Sequence, residues 1–172
     1  MDLHQAEQLA RDLMDEHGVT ADGWQFAWSN GKRQLGAAQI RRKKNPKAGK
    51  VVEQKRIKLS RHLVRLNDDD EVRDTILHEI AHAIAGLENG HNAKWKAVCR
   101  RIGAKPQRLA GEGVNVVEAR YTIVCGICEK GIGKRHRRMR KDRLDASYCR
   151  SCGWKSKGKL WLHDARTMKP LE

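Results

Sequence analysis

The sequence predicts an α+β protein in two parts: helices packed on a small antiparallel-containing sheet over residues 1–120, and a four-cysteine unit over residues 121–172. Three observations carry this. A long helical pattern, EVRDTILHEIAHAIAGLENG, follows three consecutive aspartates. Two stretches of alternating apolar and polar residues precede it. Two Cys-x-x-Cys pairs, 20 residues apart, occupy the last third of the chain.

The elements follow in order. Leu3, Ala6, Leu9, Ala10, Leu13 and Met14 recur at helical spacing, and Gly18 supplies the stop. Trp24, Phe26 and Trp28 alternate, Asn30-Gly31 is a hairpin turn signal, and Leu35 to Ile40 continue the pattern, so two antiparallel strands are expected. A basic loop from Arg41 to Lys50 separates them from a further strand, where Ile57 and Leu59 alternate with Arg56 and Lys58. Ser60 caps a short helix, and Asp68 to Asp70 begin the long one, their charge suited to its dipole. Gly86 or Gly90 ends that helix. A second amphipathic helix runs through NAKWKAVCRRIG, with Gly103 at its end, and VNVVEARYTIVC reads as strand entering the cysteine region.

Charge is the strongest signal in the composition. The chain carries 36 Lys+Arg against 21 Asp+Glu, a formal net charge of +15, which calls for a polyanionic partner. The excess is localised: residues 31–66 hold 13 basic and 1 acidic side chains, and residues 121–172 hold 14 and 5. Between them, residues 67–90 hold 1 and 7. The basic blocks read as two DNA-facing surfaces flanking an acidic helix. No apolar run approaches the ~18 residues of a membrane span, so no membrane partner is expected. The acidic, amphipathic N-terminus lacks the features of a secretory signal, which predicts a cytoplasmic monomer, nucleoid-associated or nuclear.

Within the long helix stands His78-Glu79-Ile80-Ala81-His82. Histidines at i and i+4 project from one face and can reach a single Zn²⁺, while Ile76, Ile80 and Ile84 point the opposite way into a core. A catalytic zinc keeps three protein ligands and one open position. His91, after the turn at Gly86 and Gly90, is the expected third ligand, preferred to Glu88, which lies too close to the helix end. Glu79 is then placed to take a proton from a zinc-activated water and direct it at a carbonyl such as a peptide bond.

Cys125, Cys128, Cys149 and Cys152 have the spacing of a tetrahedral Cys₄ zinc ribbon. Two zinc ions are therefore expected, one catalytic and one structural. Between the cysteine pairs, Lys134, Arg135, Arg137, Arg138, Arg140, Lys141 and Arg143 form a run suited to phosphate backbone, and Trp154 is placed to stack on unpaired bases. DNA, including single-stranded DNA, is the expected partner. Cys99 stands apart.

The runs IKLSRHLVRLNDDDEVRDTILHEIAHAIAG, GHNAKWKAVCRRIG and RYTIVCGIC…YCRSCG resemble the SprT-like metallopeptidases, the group that includes the Spartan proteases. The resemblance covers roughly residues 50–160. It implies a zincin-like α+β core in which His78, His82 and His91 match the zinc ligands and Glu79 the catalytic glutamate. It also implies DNA-dependent proteolysis of proteins crosslinked to DNA. The long C-terminal tail of Spartan has no counterpart here, so recruitment through such a tail is not expected. Composition and spacing by themselves reach only a zinc hydrolase with a surface for nucleic acid. A non-enzymatic, zinc-dependent DNA-binding module with a structural histidine site remains the alternative, distinguished by a closed fourth position at the metal.

Overall fold

The computed structural model of the chain describes residues 1–44, 51–107 and 115–171. They form two compact units, Met1–Val117 and Glu118–Glu172. No helix among the described residues is long and apolar enough to cross a membrane.

The first unit opens with α1 (Leu3–Glu16), set by a capping box in which the Asp2 side chain accepts from Gln5 N–H and Gln5 answers the Asp2 N–H. Three strands follow: β1 (Trp24–Ser29), β2 (Gly36–Lys44) and β3 (Val51–Ser60). Their order is β1-β3-β2. The expected hairpin between the first two strands does not form: β1 runs parallel to β3, and β2 pairs antiparallel with β3. The reason is non-local. Ile57 and Leu59 on β3 are fully buried, and only the central position covers that strand on both edges. Asn30-Gly31 therefore serves as a loop anchor, where Ser60 Oγ donates to the Gly31 carbonyl at 2.5 Å. The basic stretch also differs from expectation, since residues 41–44 extend β2; residues 45–50 lie outside the described residues.

Ser60 caps the short α2 (Arg61–Val64) by accepting from Leu63 N–H. Asp68 caps α3 (Asp69–Ala85) through Glu71 N–H, with three more acidic residues in its first turn. Gly86 ends α3 at φ +93°, a conformation that favours glycine. A single turn of 3₁₀ helix (Leu87–Asn89) leads to α4 (Ala93–Ile102), capped by Asn92 and closed by Gly103 in the left-handed region. α3 is the centre of the unit: Val72, Ile76, Leu77, Ile80, Ala81 and Ala85 pack into a core shared with α1, α4 and β3.

Residues 115–119 are not strand, contrary to the sequence pattern. Asn115 explains this. Its N–H donates to Asn67 Oδ1 at 2.7 Å, its carbonyl accepts from Asn67 Nδ2, and its side chain reaches the Leu66 carbonyl. Backbone groups spent on Asn67 are lost to a ladder.

The second unit is a three-stranded antiparallel sheet in the order β5-β4-β6, from β4 (Tyr121–Cys125), β5 (Gly131–Arg135) and β6 (Leu160–Asp164). The short α5 (Lys141–Ala146) and a 3₁₀ turn (Gly153–Ser156) lie between β5 and β6. Its core is small: Ile123, Leu144, Leu160 and Leu162 with Cys125 and Cys149.

Candidate functional site

α3 and the turn after it bring His78, His82 and His91 together, one ligand atom from each lying within 4.8 Å of the others. The i, i+4 spacing aligns the first two, and the break at Gly86 returns the chain so that His91 meets them. His91 Nε2 is 3.2 Å from both His78 Nε2 and His82 Nε2. A proton on His91 Nε2 points at one of these neighbours, so lone pairs also face one another, an arrangement that a cation relieves. A tetrahedral zinc with bonds of about 2.05 Å spaces its nitrogen ligands about 3.3 Å apart. The donor set fits that ion. Burial first, then the neighbouring histidines, hold His78 and His82 down at about 4, so both are neutral and able to ligate near pH 7.

Beneath the three imidazoles lies Trp95 of α4, fully buried. Its ring centroid is 4.7 Å from His78, 5.2 Å from His82 and 4.6 Å from His91. Nothing in the sequence singled out Trp95: it stands in the first turn of α4, whereas His91 precedes the Asn92 cap, so no same-helix spacing links the two.

Glu79 points toward the sheet and is 8% exposed. Its Oε2 accepts from the Ala38 N–H at 2.6 Å. Desolvation pushes its carboxyl up to about 7, against the lowering effect of that hydrogen bond. β2 can approach so closely because residue 36 is glycine: a Cβ there meets Thr75 Cγ2 at 2.6 Å and Glu79 Cγ at 2.8 Å. A cleft of about 670 Å³ opens here, lined by all three histidines, Glu79 and β2 residues 36–38. Glu88 stands outside the histidine group, its carboxylate accepting from Asn89 Nδ2.

In the second unit the four cysteine sulfurs also lie within 4.8 Å of one another. Cys125 and Cys152 sulfurs are 4.0 Å apart, and Cys128 and Cys149 sulfurs 3.8 Å, against about 3.8 Å around a tetrahedral zinc with bonds of about 2.3 Å. Backbone N–H groups of Cys128 and Ile127 bring the Cys125 thiol down to about 7, favouring the thiolate that ligates. Cys99 is buried elsewhere, its thiol pushed up to about 11 chiefly by burial.

Lys134, Arg135, Arg137, Arg138, Arg140, Lys141 and Arg143 are all exposed. Arg140 is partly neutralised by Asp142 at 2.9 Å. Trp154 is 68% exposed and stacks on Tyr148 with centroids 5.3 Å apart.

Three imidazoles and a buried glutamate on one cleft of an α+β unit form a group that could hold a metal ion, the arrangement of a metalloprotease-like class of protein. The model of the SprT-like family matches residues 4–118, more than half of the sequence, and the chain belongs to that family. Its zinc association agrees with both donor sets. Over 94 residues the chain is also 31% identical to the germ cell nuclear acidic protein of Drosophila melanogaster. The match takes in 51% of this chain and 9% of that protein, so the chain spans less than a tenth of the relative's length.

Proposed function

We propose that the protein is a DNA-dependent zinc endopeptidase that cleaves proteins bound or crosslinked to DNA. The observation that carries the reading is the convergence of His78, His82 and His91 beside a buried carboxyl at an open cleft. Among the described residues no fourth protein ligand joins the three histidines, which favours an open catalytic position over a closed structural one. The first unit is read as a zincin-like core.

His78, His82 and His91 would hold the zinc ion. When bound, zinc supplies Lewis acidity that makes water a nucleophile at neutral pH. Glu79 accepts the proton of the attacking water and returns it to the departing amine. The Ala38 N–H fixes the direction of the carboxyl, and the burial that raises its pKa makes it a stronger base than an ordinary carboxylate. β2 is an edge strand whose residues 36–38 line the cleft, which suits an extended polypeptide laid alongside it.

A structural zinc at Cys125, Cys128, Cys149 and Cys152 would fold the second unit around its small core. The exposed cations of residues 134–143 and the Tyr148–Trp154 stack suit a phosphate backbone and unpaired bases. On this reading the protein works as a monomer on the chromosome, nucleoid-associated or nuclear. The test is cleavage of a DNA-binding protein with and without single-stranded DNA. Wild type should cut with DNA, and Glu79→Gln should lose about 10²-fold or more of that rate. Equal rates for the two proteins refute the enzyme.

A further inference from the structure

Strand register sorts the first sheet into two faces. The rows Phe26–Ile57–Ala38 and Trp28–Leu59–Gly36 lie on the face that carries the core. The alternate rows are Gln25–Arg56–Gln39 and Ala27–Lys58–Ala37, continued by Arg41 opposite Gln54. This second face is polar, and its three cations lie among amides and small side chains. The hairpin's ion pair, Arg42 with Glu53 at 2.7 Å, belongs to the opposite set of rows. None of the ion pairs among the described residues engages Arg41, Arg56 or Lys58. Burial, then the charges of Arg41 and Arg56, hold the Lys58 ammonium below its ordinary range. Lys58 Nζ is oriented by donating to Gln39 Oε1 at 2.9 Å.

At one end of this face a notch of about 180 Å³ is lined by Ser29, Lys32, Arg33, Lys58 and Ser60, with no acidic residue in its wall. Arg33 to Ala37 line both this notch and the histidine cleft. One loop thus has cationic surface on one side and the candidate zinc site on the other. Residues two apart on a strand, such as Arg56 and Lys58, lie about 6.6 Å apart. In duplex DNA two successive steps of one strand rise about 6.8 Å along the helix axis.

We propose that this face, with the notch at Lys32, Arg33 and Lys58, is a nucleic-acid backbone site on the unit that carries the histidines, separate from the basic run of the second unit. It deepens the reading above by taking DNA as the partner. A phosphate held in the notch sits one loop away from the cleft, so a protein attached to that DNA is delivered to β2 and Glu79.

The experiment is the salt dependence of binding of a labelled deoxythymidine oligomer to the full chain. Three proteins are compared: wild type, Arg41→Ala/Arg56→Ala/Lys58→Ala, and Arg137→Ala/Arg138→Ala/Arg140→Ala. Removing three phosphate contacts on the sheet should lower the slope of log K against log[salt] by about 2. The second triple variant should keep the sheet's share of the slope. A charge-preserving control, Arg41→Lys/Arg56→Lys/Lys58→Arg, should restore it, and loss of slope in that control overturns the proposal. DNA binding with an unchanged slope in the sheet variant overturns this site and leaves the second unit's role standing. Absence of DNA binding by wild type overturns both. Polyglutamate that displaces DNA at equal charge concentration overturns the nucleic-acid assignment.

Discussion

The two candidate metal centres sit in units of opposite construction. The histidine group borders a core that, among the described residues, holds 21 buried apolar residues, drawn from four helices, two of the three strands and the loops between them, around fully buried Ile57, Leu59, Ile76 and Ile80. The cysteine group is itself part of a core that, among the described residues, holds six buried residues, two of which are Cys125 and Cys149. Each large aliphatic side chain that is buried contributes about 1.5–3 kcal/mol, so the first unit has apolar burial enough to fold and then receive its ion. The second has too little, and a metal held by its four cysteines would be a structural member. The comparison teaches that an ion at the histidines would be fitted to a formed site, whereas an ion at the cysteines would form its site.

Metal removal is the most severe way to break that comparison. Strong chelation should collapse the second unit, since structural zinc sites of this kind supply about 10–16 kcal/mol in isolated fingers, while the first unit keeps its helices. Backbone NMR resolves the two sets of signals. Simultaneous loss of both, or survival of the Tyr121–Asp164 sheet without metal, contradicts the contrast.

A smaller effect comes from inside the first unit. Trp95→Ala removes the floor under three imidazoles and should cost about 3–5 kcal/mol in unfolding free energy, with weaker zinc retention against a competing chelator. Trp95→Phe should recover most of both. Zinc retention unchanged in the alanine variant shows that the ring does not hold the ligands in place.

The smallest effect is the pH dependence of the metal-free first unit. His78 and His82, lowered from 6.5 to about 4, bind fewer protons folded than unfolded, so their contribution is complete above pH 6.5 and is lost as pH falls toward 4. Glu79, raised from 4.5 to about 7, works in the other direction: its contribution is present below 4.5 and is lost as pH rises through 7. Glu79→Gln removes the opposing slope. Its melting temperature should therefore fall more steeply than wild type between pH 6.5 and 4.5, and parallel curves refute the assignment.

What the sequence revealed about these sites follows from how local each signal is. His78 and His82 are one helical turn apart, and each cysteine pair is a four-residue motif, so spacing alone brought the ligands together on paper. The cap at Asp68 and the stop at Gly103 were legible for the same reason. The β1–β2 pairing was misread because Asn30-Gly31 is a local turn signal, whereas the claim of β3 to the centre depends on burial of residues nearly 30 positions away. The hold of Ala38 on Glu79 spans 41 residues and passes through a main-chain N–H, which no side-chain pattern reports. Gly36 was equally silent, because its importance is the absence of a Cβ under α3.

The tryptophans divide along the same line as the two units, and this gives the molecule an optical signature. Trp24 and Trp95 are 4% and 0% exposed in the first unit, where Trp28 is half-buried, and Trp154 and Trp161 are 68% and 55% exposed in the second. Blue-shifted emission therefore belongs to the sheet–helix core and the floor of the histidine site, and red-shifted emission to the cysteine unit. Because Trp95 touches all three imidazoles, the blue component is also the one that metal entry perturbs, so a single fluorescence spectrum distinguishes filling one centre from unfolding the other.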